Sequence, residues 1–356
     1  LYPRLVDGGF DVTVIARKPY FRAPRDFEGV RVIPIWALRH KYLETLIHTF
    51  MALIYARLYV HPDIVHLHAV GPGFFAPLAR LLGFKTIVTH HSADYLRPKW
   101  GLVGRAFLRA GERMAALFAN KVVCVNQSIR NDLVRRYRFA ADRICTIRNG
   151  APVHLEPVSE GADVLSALGI EKNAYLLAVG RLEATKGFHD LIEAFKRAAV
   201  GDMKLVIVGA DFSDDAYARQ LMSKASPSII FAGARKGGEL ATLYRNTRVF
   251  IHPSYMEGFS LVTLEAIAAG APVLMSDIDA NREFELEDAA YFPVGDVDVL
   301  AAKIRIGPHG LEGAHRRQEV IRKNTWDVNA QRFAREALAV VGVSEQALHA
   351  ESELRA

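Results

Sequence analysis

A chain of 356 residues that is 51% hydrophobic and 24% charged can bury a large core, and its length suits two domains better than one. Its longest apolar region, "LIHTFMALIYARLYV", is broken by His48 and Arg57 and preceded by Glu44, so it falls short of the ~20 apolar residues of a membrane span. The net charge of +6 is local: from Tyr95 to Arg143 eleven Lys or Arg stand against three Asp or Glu, without the motif or aromatic pattern of a nucleic-acid binder, which leaves a solvated face, an acidic membrane surface or a phosphate-bearing substrate.

The first segment, "LYPRLVDGGFDVTVIAR", reads as the tail of a helix, a Gly8-Gly9 stop and a strand from about Val12 to Ala16. Entry at a helix tail creates the expectation that a first strand and the glycine-bearing loop after it precede Leu1. Apolar strand-like runs then alternate with helical stretches: "DVTVIA", "DIVHLHA", "KTIVTHH", "KVVCVN" and "RICTIRNG", followed by "AYLLAVG", "KLVIVG", "SIIFAG", "RVFIHPS", "APVLMS" and "AYFPV". Short continuous apolar strands separated by helices predict parallel sheets covered on both faces, hence two doubly wound α/β domains. Cys124 and Cys145 lie inside strand-like runs without metal or redox spacing and read as buried, reduced thiols, in keeping with a cytoplasmic location.

The domain boundaries expected are 1–150 for the first domain, a Pro- and Gly-containing linker over 151–172, a second domain over 173–322 and a terminal helix over 323–343. That last helix places Trp326, Phe333, Ala334, Leu338 and Val341 near one face. In "GLVGRAFLRAGERMAALF", Val103, Phe107, Ala110, Met114 and Leu117 share one predicted helical face, while Arg105, Arg109 and Arg113 share another.

In open parallel sheets ligands bind just beyond the carboxyl ends of the strands. After "AYLLAVG", Arg181 and Lys186 occupy a short loop before a helix, where two cations suit a diphosphate; pairing with Glu183 or Asp190 is the plainer reading. After "RVFIHPS" comes "YMEGFSLVTLEAIAAG": Gly258 permits close backbone approach, Ser260 is an expected N-cap, and the amides of about Leu261 to Thr263 are expected to face a phosphate. Glu257 then precedes the helix and Glu265 falls on its second turn, so the two acids can reach opposite ends of one ligand. The strand "KTIVTHH" runs into "HHSADYLRPKWG", which puts His91 and Asp94 at the facing edge, a structural role being the plainer reading of a lone histidine, and His66 and His68 read as structural or cleft-lining. The triplets "DID" at 277–279 and "DVD" at 296–298 sit beside turns and helix starts and read as caps, so no metal site is expected.

Taken together, "GRLEATKG", "FAG", "HPSYMEGFSLVTLEA" and "AAGAPV", in this order and spacing, resemble the donor-binding half of the retaining family 4 glycosyltransferases of GT-B fold. The first half, with "HLHAVGPG", "VTHHSADYLRPKWG" and "GERMAALFANKVVCVNQSI", resembles the capsule, O-antigen and exopolysaccharide transferases of that family, several of them rhamnosyltransferases. The resemblance implies two Rossmann-like domains facing a cleft with a terminal crossover helix, a nucleotide-diphosphate sugar as donor and a glycan or lipid-linked acceptor. It also implies chemistry without cofactor or metal and work at the inner face of the cell membrane; the face bearing Arg105, Arg109 and Arg113 adds the expectation of weak association with anionic lipid, against the plainer reading of a surface helix packed on its own domain. It assigns Arg181, Lys186 and the segment Gly258, Phe259, Ser260 and Leu261 to the donor diphosphate, Glu265 to the ribose, Arg235 to the base pocket, Glu257 to the transferred sugar and His91 to the reacting centre. Ser92 and Tyr95 stand where the resemblance implies Gly and Trp. Two rivals share the architecture: a sugar-nucleotide 2-epimerase, disfavoured by the Glu-x7-Glu spacing, and a non-catalytic nucleotide-sugar binding module. A nicotinamide dehydrogenase is poorly supported, because no Gly-x-Gly-x-x-Gly follows a first strand.

Overall fold

A computed structural model describes residues 1–21, 26–40, 43–97, 100–151, 162–210, 216–311 and 314–343. The chain divides into two compact units, one formed by Leu1–Arg148 and the chain from Trp326 onward, the other by Asn149–Thr325.

In the first unit the strands are β1 (Thr13–Arg17), β2 (Asp26–Phe27), β3 (Val30–Ile35), β4 (Ile64–His68), β5 (Lys85–His90), β6 (Lys121–Cys124) and β7 (Ile144–Thr146). They form two sheets, β1-β3-β2 and β4-β5-β6-β7, where a single one was expected. Strand β3, "VRVIPI", has no counterpart in the sequence reading, because Pro34 speaks against a strand interior. It is tolerated here because β2 pairs only with Val30 and Arg31, which leaves Pro34 paired with β1 on one side alone. The four-stranded sheet is parallel and covered on both faces, as continuous apolar runs require. Alternate residues sort between the faces. Val88, Val122 and Cys124 enter one core with Leu53, Ala76 and Ala116, while Ile87 and Val123 enter another with Ala330, Phe333 and Ala337 of the helix Trp326–Val341.

The helix Leu102–Phe118 corrects the face expected for it. Leu108, Gly111, Glu112, Ala115 and Ala116 are buried, whereas Val103 is 85% exposed and Leu117 is exposed as well. Gly111 explains the rotation: a Cβ there would lie 2.0 Å from the carbonyl oxygen of Val70, so the helix turns its smallest residues toward the segment Val70–Gly73.

The second unit carries β8 (Tyr175–Val179), β9 (Lys204–Val208), β10 (Ile229–Gly233), β11 (Val249–His252), β12 (Val273–Asp277) and β13 (Tyr291–Pro293). They form one parallel sheet in the order β10-β9-β8-β11-β12-β13. From β8 the chain proceeds outward through β9 and β10, then returns to lay β11 on the other side of β8. That reversal is a topological switch point, where open parallel sheets bind ligands just beyond the carboxyl ends of the strands. Residues 152–161 of the expected linker lie outside the described residues, and Ala162–Ala167 within the same stretch is helical. Ala151 bridges Thr325 in parallel, bringing the two ends of this unit together.

Candidate active site at the switch point

The loops that leave β8 and β11 contain most of the residues singled out in the sequence. The first runs from Gly180 through a turn of 3-10 helix at Ala184–Lys186 to Gly187, which precedes the helix Phe188–Ala198. Gly187 has φ +66°, and a Cβ on it would lie 2.1 Å from the carbonyl oxygen of Pro253. Only glycine fits there, and its absent side chain lets this loop lie directly on the one after β11. The backbone N–H of Tyr255 donates to the carbonyl of Thr185 at 2.8 Å, and the Tyr255 hydroxyl donates to Asp190 Oδ2 at 2.5 Å. The two loops are thus joined by main chain and side chain alike.

This clasp brings Lys186 to Glu257, 71 residues apart in sequence, with Nζ 2.5 Å from Oε1. Both side chains are largely buried, at 15% and 11% exposure. His252, the last residue of β11 and fully buried, places Nε2 2.9 Å from the same oxygen, an ion-pair contact that is not aligned as a hydrogen bond. Burial alone would raise the Glu257 pKa; His252 and Lys186 outweigh it and hold the carboxyl well below the usual carboxylate range. Glu257 is therefore anionic at neutral pH. His252 escaped the sequence reading, although a histidine closing the buried strand "RVFIHPS" at a sheet's carboxyl edge is a signal that could have found it.

Beyond Glu257 the chain enters the helix Leu261–Ala268. Ser260 is its N-cap, its Oγ accepting from the Thr263 N–H at 3.3 Å. The Thr263 amide is thereby satisfied, which removes it from the expected phosphate-facing set and leaves the first-turn amides of Leu261 and Val262, which have no intrahelical acceptor. The Phe259 side chain is buried, stacked on Phe284 at 4.7 Å, and its carbonyl accepts from Asn149 Nδ2 at 2.8 Å, so its ring serves the core and not a ligand. Glu265 lies on the second turn, as expected, and its Oε2 accepts from the Tyr244 hydroxyl at 3.0 Å. Burial raises the Glu265 pKa, against a smaller lowering by that hydrogen bond.

Arg181 is half exposed and donates to Glu183 Oε1 at 3.1 Å, the partner that the plainer reading named. Arg235 folds onto its own strand end, Nε donating to the Ala232 carbonyl at 2.9 Å and a terminal nitrogen to Glu239 at 3.0 Å. The Asp triplets serve other ends. Asp277 makes a two-point pair with Arg282 at 2.6 and 2.7 Å instead of capping a helix, and Asp296 caps the helix Val297–Ile306 through the Val299 N–H at 2.9 Å. Among the described residues, no cluster of three or more His, Cys, Asp or Glu is arranged to hold a metal ion.

His91 belongs to the first unit. Its Nε2 lies 3.0 Å from His68 Nδ1, with the rings stacked at 5.3 Å, and burial lowers its pKa, with His90 adding to the effect and Asp94 opposing it. It is therefore a neutral imidazole near pH 7. Ser92 donates to Asp94 at 2.8 Å, and the Tyr95 hydroxyl donates to buried Glu112 at 3.0 Å. Glu112 also accepts from Arg136, and its carboxylate lies 3.1 Å from both the Tyr137 hydroxyl and His90 Nε2, so the loop carrying His91 is anchored from beneath by one buried carboxylate.

The sequence matches the family model described as glycosyltransferase family 4 over residues 1–155 and the model described as glycosyl transferases group 1 over residues 165–309. It is similar to the alpha-maltose-1-phosphate synthase of Mycolicibacterium smegmatis, 31% identical over 62% of this chain and 61% of that protein, so it spans about three fifths of that relative's length. It is also similar to a GDP-mannose-dependent alpha-mannosyltransferase of Mycobacterium tuberculosis, 30% identical over 74% of this chain and 68% of the relative. Sucrose-phosphate synthase from Thermosynechococcus elongatus superposes with a TM-score of 0.79 at 22% identity, covering 96% of this chain and 92% of its own. The Anabaena protein Alr3699/HepE in complex with UDP-glucose does so with a TM-score of 0.72 at 19% identity, covering 88% and 87%.

Proposed function

The chain belongs to the family 4 glycosyltransferases, of GT-B fold, and from that premise we propose that it moves a hexosyl group, with retention, from a nucleoside-diphosphate sugar to a glycan or lipid-linked acceptor of a bacterial surface polysaccharide. The observation that carries this reading is the Lys186–Glu257 pair at the switch point, beside the N-terminus of the helix Leu261–Ala268 and one helical turn from Glu265. In this reading the second unit takes the donor and the first takes the acceptor.

Breaking the bond from sugar C1 to the diphosphate develops positive charge on the sugar and negative charge on the leaving oxygen. Lys186, Arg181 and the amides of Leu261 and Val262 supply positive potential for the latter. The Glu257 carboxylate accepts from sugar hydroxyls and favours the positive charge growing nearby. Glu265, fixed by Tyr244, accepts from the ribose hydroxyls. Gly258 and Ser260 shape the turn between sugar and phosphate, and Arg235 borders the base. Acceptor attack on the face that the diphosphate leaves, with a phosphate oxygen taking the acceptor proton, gives retention. His91, neutral, is suited to orient the sugar by a hydrogen bond without competing for the phosphate. No step requires a metal, because the cations named carry the charge.

The test is a panel of nucleotide sugars and glycan acceptors scored for glycoside formed and nucleotide released, with and without chelator. Glycoside carrying the donor's anomeric configuration, formed in chelator, is expected. Inverted product, release of free 2-epimerised sugar without acceptor, or strict dependence on added divalent metal each rejects a part of the proposal. The anionic face of the membrane is the proposed working place: Leu102 and Val103, each 85% exposed at the start of the helix Leu102–Phe118, stand beside Arg105 and Arg109. No helix among the described residues is long and apolar enough to cross a membrane.

A further inference from the structure

One carboxylate oxygen in the second unit is shared by two bases. Glu257 Oε1 lies 2.5 Å from Lys186 Nζ and 2.9 Å from His252 Nε2, and the histidine is buried at the end of β11 without an aligned hydrogen bond at that nitrogen. Other ionisable groups on the surrounding elements are engaged elsewhere. Arg181 is paired with Glu183, and His189 and Asp190 are tied to Tyr217 and Tyr255. Glu265 is held by Tyr244.

The arrangement poses a charge problem for any diphosphate that recruits Lys186. The ammonium cannot keep Glu257 at 2.5 Å and also turn its donors to phosphate oxygens without weakening the first contact. Once it leaves, a largely buried carboxylate faces a buried imidazole. A lone buried anion costs several kcal/mol, and a neutral imidazole supplies at most a dipole against it. A proton on Nε2 puts a cation 2.9 Å from the same carboxylate oxygen, so that opposite charges face each other at the distance already present.

Resting on the assignment of Lys186 to the donor diphosphate, we propose that His252 is a positioning residue that replaces Lys186 as the counter-charge of Glu257: diphosphate binding draws Lys186 away, and the His252–Glu257 pair takes up one proton from solvent. Lys186 keeps its charge throughout, and the proton enters at Nε2, so Glu257 stays anionic and held from the strand side while its free edge turns to the sugar. Donor binding and the aiming of Glu257 become one event.

The exchange is read by titrating the full chain with UDP and with GDP near pH 8, where a terminal phosphate of pKa about 6 is already ionised, in two buffers of different ionisation enthalpy. The difference in heat gives protons taken up per nucleotide. The wild type is expected to take up a substantial fraction of one proton. His252→Gln, which keeps an N–H near Nε2 but cannot be protonated, is expected to take up none, to bind nucleotide within about tenfold of wild type and to lose turnover rather than KM. Lys186→Ala, with His252 intact, is expected to lose the uptake too, since its pair carries the proton beforehand. Histidine-selective NMR of the wild type adds a direct signature, a neutral-to-imidazolium change at His252 on nucleotide addition. Equal uptake in wild type and His252→Gln, or nucleotide binding by wild type without uptake, overturns the exchange. Should Lys186→Ala leave diphosphate affinity unchanged, the assignment of Lys186 itself fails, and the exchange with it.

Discussion

Replacing Glu257 with Gln separates the two jobs that the site asks of one carboxylate. The substitution preserves shape and removes charge where Lys186 and His252 converge at 2.5 and 2.9 Å. For turnover, the loss resembles removal of one preorganised electrostatic group from a transition state, so kcat is expected to fall about 100- to 1000-fold, or ~3–4 kcal/mol. For nucleotide binding the sign reverses. In the wild type Lys186 gives up a charge-assisted bond worth about 1.5–3 kcal/mol in order to meet the diphosphate, whereas in the variant it gives up a neutral one of about 1 kcal/mol. The difference, roughly 1 kcal/mol, predicts nucleoside-diphosphate affinity unchanged or up to about fivefold tighter. Steady-state transfer and calorimetric titration with nucleoside diphosphate measure the two effects. Unchanged turnover refutes the role of Glu257, and a parallel loss of nucleotide affinity refutes the competition for Lys186. Stability supplies a control with its own sign. A depressed carboxyl pKa contributes stability that is present above the unfolded value, near 4.5, and lost as pH falls through the folded value, so the stability gap between wild type and Glu257→Gln should hold at neutral pH and shrink only below about 4.5.

Arg181→Ala and Lys186→Ala should each weaken nucleoside-diphosphate binding about tenfold or more while leaving nucleoside binding nearly unchanged, as calorimetry would register; Arg181→Ala should cost under ~1 kcal/mol of stability, because the arginine is half exposed and Glu183 keeps its bond from the Thr185 hydroxyl. Gly187→Ala forces a left-handed φ of +66° on alanine and puts its Cβ 2.1 Å from the Pro253 carbonyl, so denaturant unfolding should show a loss of more than ~2 kcal/mol and the donor KM should rise with it; a fully stable variant denies that the loops are in contact. Flotation with anionic vesicles should recover the wild type and lose it for Leu102→Ser/Val103→Ser or at high salt; equal recovery with neutral vesicles, or none with either, rejects the membrane contact.

What could be read from the sequence divides along a physical line. The strands from β4 onward were legible because each is a short, mostly apolar run separated from the next by a helical stretch, a pattern that depends on the local residues alone. The Ser260 cap and the placing of Glu265 on the second helical turn were legible for the same reason, since a cap and a helical spacing are local. Facts set by close approach were not. The buried face of Leu102–Phe118 follows from a single clash at Gly111 with a carbonyl about forty residues away, which overrides the apolar stripe of Val103, Phe107 and Leu117. Strand β3 escaped because the reason its proline is harmless lies in where β2 stops. The site shows the same division at closer range. Lys186 and Glu257 were each identifiable by position after a strand, yet the sequence describes them as two separate contacts to a ligand. The fold makes them one ion pair, through a glycine that admits a neighbouring carbonyl and a backbone hydrogen bond from Tyr255 to Thr185. A group that must release its protein partner to take its ligand is selective in a way that a free cation is not: a lone phosphate satisfies Lys186 but leaves Glu257 with only His252, whereas a diphosphate sugar satisfies both. That difference gives the intact donor an advantage over the product nucleotide, which the Glu257→Gln variant should lose.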